Sequence, residues 1–451
     1  MKTIFTALIL GAISAQAQVD ATIRQVQQAK PLLAPYELPA RYVLSGATVH
    51  PVSAPSIANG KVFVVDGKIR EVGKNVESFG AEEIDLTGLH LYPGLISASG
   101  PLGLIEIGAV RATRDSTEVG SFTPDVNAWL AVNPDSELIP VARAGGVLYS
   151  LATPAGGTVA GQSGLMQLAG WGIEEMTFAK PVALHVNWPS MRLRLAPKES
   201  LSDPKKWKSP EDQDNERRER IEDLTRFFHD ARAYAKAKVT AKSAVDFVEI
   251  PAMEAMIPYV SGHSKVYINA DGKRQISAAV DWAETNDLNI IICGGQDAWM
   301  VADRLAKRKV PVVYEHVLER PARDADDYDQ PFRNPAILTE KGVSVAISLG
   351  RGRFSAFMAR NLPHAAAHAA RHGLSQADAV RSVTLMPAQI LGVEDRLGSL
   401  EAGKQASMVA LDGPLLDVRS KVRRVWVSGE EISPSSRHTK LYQRYQKRPK
   451  R

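Results

Sequence analysis

The sequence predicts an α/β protein, a (β/α)8 TIM-type barrel carrying a small composite β-sandwich domain built from both chain ends. Two observations carry this reading. β-rich segments lie near both ends, at 41–73 and 407–427, and bracket a long middle of different character. In that middle, apolar strand candidates alternate with helical patterns, which implies βαβ units and a parallel sheet covered on both faces. The bracketed length of about 300 residues suits a closed eight-stranded barrel. A doubly wound open sheet is the alternative, but no glycine-rich phosphate fingerprint follows the first strand.

Taken in order, residues 1–17 read as an export leader. Lys2 supplies the positive start, Ile4 to Ile13 the apolar run, and Ala15-Gln16-Ala17 the small-x-small cleavage pattern. The run is too short for a permanent span, which needs about 20 residues. An exported, periplasmic protein is therefore expected, with secretion as the alternative and no transmembrane segment.

The small β domain is expected at 38–89 and 397–432. Its clearest piece is Lys61 to Val72, where Asp66-Gly67 separates two β-rich runs in a hairpin signal. The barrel is expected at 90–396. Its strand candidates are Leu91–Ile96, Val147–Leu151, Val182–Val186, Val266–Ile268, Asn289–Ile292, Val310–Tyr314 and Val343–Ser348. Helical patterns at Ile276–Thr285 and Ala298–Lys307 separate several of them. Residues 197–220, dense in charge and proline, read as a mobile insertion or lid leading into a helix with Ile221, Leu224, Phe228, Ala231 and Ala235 on one stripe.

Composition excludes several classes. With 44% hydrophobic and 23% charged residues, the chain is neither disordered nor collagen-like. Cys293 is the only cysteine, so an intramolecular disulfide framework and a cysteine-rich zinc site are both excluded. The basic tail at 433–451 holds seven Lys and Arg residues after 436 and no acid there, more than the whole net charge of +5. The remainder is close to balance. The tail reads as a solvated, frayed terminus, and with no nucleic-acid motif beside it no nucleic-acid partner is expected.

The small β pieces flanking a barrel, together with Tyr92-Pro93-Gly94-Leu95-Ile96, Met386-Pro387-Ala388-Gln389-Ile390-Leu391-Gly392 and the run Leu397 to Ala406, resemble the amidohydrolase superfamily. More narrowly, the chain resembles its secreted imidazolonepropionase-like branch. The resemblance covers nearly the whole chain after the leader. It implies hydrolysis of C–N bonds, non-peptide or dipeptide-like, by one or two metal ions at the strand ends. Such an ion lowers the pKa of bound water and polarises the scissile carbonyl.

Each ligand position implied by the resemblance differs here. The family's first strand ends in Pro-Gly-Leu-Ile-Asp-x-His-x-His, where this chain has Ser97, Ser99 and Pro101 in place of the acid and both histidines. The fifth strand offers Asn269, the sixth Cys293 and Gly294, and the last runs Ser348-Leu349-Gly350-Arg351 without its aspartate. No metal residue is therefore expected, and no cofactor unless a divalent ion such as zinc is held in another way.

The remaining candidates are read from residue types. Glu315 and His316, after the seventh strand, are a candidate acid/base pair or a structural pair. Glu106, Arg111, Arg114, Asp115, Gln162, Asn269, Arg353, Arg360 and Asn361 fall at predicted strand ends or loops of the mouth. The arginines among them suggest an anionic small-molecule ligand or loop–loop salt bridges. His364, His368 and His372 share one helix face, as zinc ligands or as a polar exterior stripe. Two functions stay open: a hydrolase of the family type, or a non-catalytic barrel that binds a ligand or partner. An oligomer with itself or with a related amidohydrolase is a further possibility.

Overall fold

The computed structural model describes residues 41–78, 80–241 and 247–448. The leader expected at 1–17 lies outside them. In chain order, β1 (Arg41–Val49), β2 (Ile57–Val65), β3 (Lys68–Gly73), β4 (Glu82–Asp85) and β5 (His90–Pro93) lead into β6 (Leu95–Ser97). Then come α1 (Leu138–Ala144), β7 (Val147–Ala152), β8 (Val159–Gln167), β9 (Thr177–Asn187), α2 (Pro210–Thr240), α3 (Pro251–Val260), β10 (Lys265–Ala270) and α4 (Lys273–Thr285). They are followed by β11 (Ile290–Gly294), α5 (Ala302–Lys307), β12 (Val312–Tyr314), α6 (Gln330–Glu340), β13 (Val345–Ile347), α7 (Leu362–Arg371), α8 (Gln376–Arg381) and α9 (Leu385–Leu391). Finally, β14 (Met408–Leu411), β15 (Val422–Val427), β16 (Glu430–Ile432) and α10 (Arg437–Gln446) close the chain.

Two eight-stranded sheets result. One has the order β16-β15-β14-β5-β1-β2-β3 with β4 on β1, so both ends of the described chain build it. Its own core includes Leu44, Val62, Ile69, Leu91, Met408 and Trp426. Asp66 and Gly67 both take positive φ, 49° and 76°, as the expected hairpin turn between β2 and β3 requires. The other sheet runs β6 to β13 in sequence order and nearly closes into a barrel. Where β6 and β13 meet, Ser348 Oγ donates to Ser99 O at 2.7 Å.

The structure departs from the sequence reading in four places. The single strand expected at Leu91–Ile96 is two strands, β5 in one sheet and β6 in the other. The break falls at Gly94, where a Cβ would stand 2.5 Å from Leu148 Cδ1, so only glycine permits the crossing. Second, β8 is an additional strand, antiparallel to both β7 and β9. Its sequence Val-Ala-Gly-Gln-Ser-Gly-Leu-Met-Gln has no alternation because both faces are covered.

Third, the helix expected after residue 220 begins at Pro210. Ser209 caps it in a capping box with Asp212, and Pro210 takes the first turn, a signal present in Ser-Pro-Glu-Asp. Leu224, Phe228 and Ala231 form its buried stripe. Fourth, much of the tail is the helix α10, capped by Ser436, with His438 Nδ1 at 3.0 Å from Arg360 Nη1. No helix of the described residues is long and apolar enough to cross a membrane.

Candidate functional site

Alternation along the strands decides what faces the barrel interior. Tyr267 and Asn269 of β10 stand opposite His185 and Asn187 of β9, and Asn269 is also level with Cys293 of β11. Val313 of β12 is level with Cys293 and with Ala346 of β13, so Glu315 and Ser348, two residues further on, point inward too. Ser97 and Ser150 pair across β6 and β7. At their C-terminal ends the strands thus surround a polar, closely packed mouth.

Arg351 and Glu315 organise it. Arg351 follows β13 after a turn at Gly350, whose φ of +87° favours glycine. Its Nε donates to both Glu315 carboxylate oxygens, at 3.1 and 3.2 Å. The Glu315 side chain is 5% exposed and that of Arg351 17%. Glu315 also accepts from the Ser99 hydroxyl and from Cys293 Sγ at 3.3 Å. Burial first, and then the neighbouring Glu315 charge, push the Cys293 thiol well above its ordinary pKa. It stays a thiol. Burial opposes the charge on Arg351, and Glu315 more than restores it, so the guanidinium is a permanent cation.

His185 lies in the same interior, fully buried, with its ring 4.9 Å from that of Tyr267. Burial, helped by the Arg351 charge, lowers its pKa to about 3, so the ring is neutral. Neither ring nitrogen has a hydrogen-bond partner, nor do Asn269 Oδ1 and Ser150 Oγ. A cavity of only about 10 Å³ lies beside Ser97, Ser99, Ser150 and Gly350, room for about one water.

Glu315 and His316 do not act on one another. They are consecutive on an extended segment and point to opposite faces. His316 leaves the interior, packs against the Tyr314 ring at 5.9 Å, and lies between two carboxylates. Its Nε2 is 2.7 Å from Asp271 Oδ1 and its Nδ1 2.5 Å from Glu319 Oε2. Burial works against protonation, but these two hydrogen bonds outweigh it and raise the pKa to about 10. At neutral pH His316 is an imidazolium with both N–H groups engaged, which suits a clamp between loops and not a proton shuttle.

The other predicted residues scatter. Asn269 reaches the mouth, where its Nδ2 donates to Asn187 Oδ1 at 2.8 Å. Gln162 lies within β8 and not in a loop; its Nε2 donates to Pro124 O and its Oε1 accepts from Tyr259. Glu106 accepts from Ser136 Oγ at 2.5 Å. Arg111 and Asp115 are exposed on the long loop after β6, with Arg114 half-buried beside them. Arg353 stacks on Phe354, 5.6 Å from the ring centre. Arg360 turns to His438 of α10, and Asn361 Nδ2 contacts Met358 Sδ at 3.7 Å. His368 and His372 pack on Phe332 on the barrel's outer layer, with ring distances of 5.2 and 4.8 Å.

The sequence named Arg351 only within the run where the last strand lacks its aspartate, and did not single out His185 or Asp271. The signal for His185 was a polar residue inside the apolar run Val182–Val186; nothing local marks Arg351 as pointing inward.

This donor set does not fit a divalent metal ion. The hydroxyls of Ser97 and Ser99 are weak donors, the Cys293 thiol keeps its proton, and Glu315 is already held by a cation. Among the described residues no three His, Cys, Asp or Glu side chains converge to hold an ion.

A model of the Amidohydrolase family matches residues 330–433. A solved amidohydrolase structure from Thermotoga maritima MSB8 is 28% identical, with a TM-score of 0.75, covering 87% of this chain and 99% of that one. A putative N-acetylgalactosamine-6-phosphate deacetylase of Escherichia coli (strain K12) is 43% identical over 61 residues, 14% of this chain and 34% of the relative. A 5-methylthioadenosine/S-adenosylhomocysteine deaminase of Teredinibacter turnerae is 36% identical over 78 residues, 14% of this chain and 18% of the relative. The matches thus span about a third or less of these curated relatives' length.

Proposed function

Because this chain is a member of the amidohydrolase superfamily, we propose that it is an exported barrel of that superfamily without metal-dependent hydrolysis, serving instead to bind a ligand at its C-terminal face. Its relatives include proteins named as a deacetylase and a deaminase, which act on C–N bonds. The observation that carries the proposal is the Arg351–Glu315 pair inside the mouth. Metal-assisted hydrolysis needs a cation with an open position for water. Here the Arg351 guanidinium already neutralises the Glu315 carboxylate inside the mouth, and its charge repels a second cation at close range. Fold alone does not carry activity across, because function resides in the site.

The test is elemental analysis of protein purified without chelator or nickel, followed by assays with and without added zinc on an N-acetylated sugar phosphate, a hydantoin and an Xaa-Pro dipeptide. The expected result is no stoichiometric metal and no turnover with any of them. Stoichiometric zinc, lost together with a hydrolytic activity on chelation, overturns the proposal.

A second expectation follows from the same pair. The double variant Ser99→His, Pro101→His should acquire neither tightly bound zinc nor zinc-dependent hydrolysis, because Arg351 still holds Glu315. Zinc-dependent turnover in that variant would show that two imidazoles suffice and that Arg351 is no barrier.

A further inference from the structure

The barrel interior offers a cavity of about 10 Å³, whereas a small-molecule site occupies about 300–1,000 Å³. A cleft of ligand size, about 990 Å³, lies elsewhere on the C-terminal face, between the segment that leaves β9 and the first turns of α2. We propose that this cleft binds a small organic anion with at least two negative charges and an apolar middle. The proposal names the ligand class for the binding function argued above and rests on that reading.

The cleft is built. Asn187, at the end of β9, donates through Nδ2 to Gly156 O and Gly157 O at 2.9 and 3.0 Å, fixing the point from which the segment departs. The segment is then stitched to α2. Arg217 Nε donates to Ser190 O at 3.0 Å, while Gln213 accepts from Arg194 N at 2.9 Å and donates to Arg194 O at 3.0 Å. Trp207 Nε1 donates to Ala196 O at 3.1 Å, which holds the indole in the wall. Phe227 of α2 packs on Phe122 at 4.8 Å and ties the helix to the loop after β6.

Charge and apolar surface then define the occupant. Of the eight charged residues lining the cleft, six are basic and two acidic. Both acids are taken, Glu216 by Lys208 and Asp203 by Lys206 at 3.9 Å. Arg217 pairs with Asp214 at 2.8 Å. Arg192, Arg194 and Arg220 form no ion pair with any described residue. A smaller recess of about 310 Å³ shares Arg220 and reaches Gly157 and Thr158, towards the barrel strands. The same lining carries Leu193, Leu195 and Trp207, 37%, 75% and 38% exposed. Guanidinium groups pair carboxylates and phosphates in two-pronged fashion, and several arginines without an ion pair on a lining that also carries apolar side chains match a molecule whose charged groups are joined by an apolar chain.

The test uses the full mature chain with decanedioate as probe, and 1,10-decanediol and 1,10-diaminodecane as controls, by calorimetry. Decanedioate should bind, more weakly as salt rises, since the arginines are exposed and screened. The diol and the diamine should not. The triple variant Arg192→Gln, Arg194→Gln, Arg220→Gln should fold normally and bind decanedioate about tenfold more weakly or less tightly still. Absence of decanedioate binding, equal binding of the diol, or undiminished binding by the triple variant overturns the proposal. The double variant Glu315→Gln, Arg351→Met should leave decanedioate binding unchanged. Loss of binding in that variant alone moves the anion site into the barrel mouth and likewise overturns it. Zinc-dependent hydrolysis by the wild type would defeat the earlier reading and leave the cleft result standing, so the two failures are distinguishable.

Discussion

Arg351→Met should lower stability by about 3–5 kcal/mol, the usual result of breaking a buried ion pair from one side. The variant leaves the Glu315 carboxylate 5% exposed without its cation. Its remaining partners, the Ser99 hydroxyl and the Cys293 thiol, supply hydrogen bonds but no compensating charge. Arg351 is itself only 17% exposed, so solvent does little to screen the loss. The double variant Glu315→Gln, Arg351→Met removes both charges and keeps an oxygen for Ser99, so it should recover most of the deficit. Urea midpoints at neutral pH measure this. A single variant as stable as wild type, or a double variant no better than the single one, would show that the pair does not hold the mouth together.

The second large effect is alkaline. His316 has a folded pKa of about 10 against 6.5 for the free side chain, so its pairing with Asp271 and Glu319 stabilises the fold fully below pH 6.5. As pH rises through the folded value, the proton leaves and that contribution is lost. The shift corresponds to at most about 5 kcal/mol, but Asp271 and Glu319 are 45% and 56% exposed, and screening reduces this to roughly 2–3 kcal/mol. His316→Gln should therefore be less stable than wild type near pH 6, with the difference closing between pH 6.5 and 10. A difference that stays constant across that range would mean that His316 is neutral in the folded protein.

Much of the architecture was legible because it rests on local signals. Asp66-Gly67 announced its hairpin, and the apolar runs marked seven of the barrel-side segments. Ser209-Pro210 also announced a helix start, although the charge of the surrounding residues obscured it. β8 was hidden for a different reason. Glycines and polar residues are acceptable in a strand only when neighbouring strands and covering loops satisfy and bury them, and those neighbours are remote in sequence. Gly94 likewise shows its necessity only beside Leu148.

The sequence by itself determined the superfamily, through Tyr92–Ile96 and Leu397–Ala406, and determined which atoms stand at the strand ends: hydroxyls, a thiol, an amide and no close set of imidazoles. Only the tertiary structure decided what those atoms do. Residues 315 and 316 are adjacent in the chain, yet the pleat sends one to Arg351 in the barrel and the other to Asp271 and Glu319 outside it. Composition records charges without direction. Whether a charge becomes a buried counter-ion, a loop clamp or an unpaired arginine in a cleft depends on which distant strand end the backbone brings within about 3 Å of it.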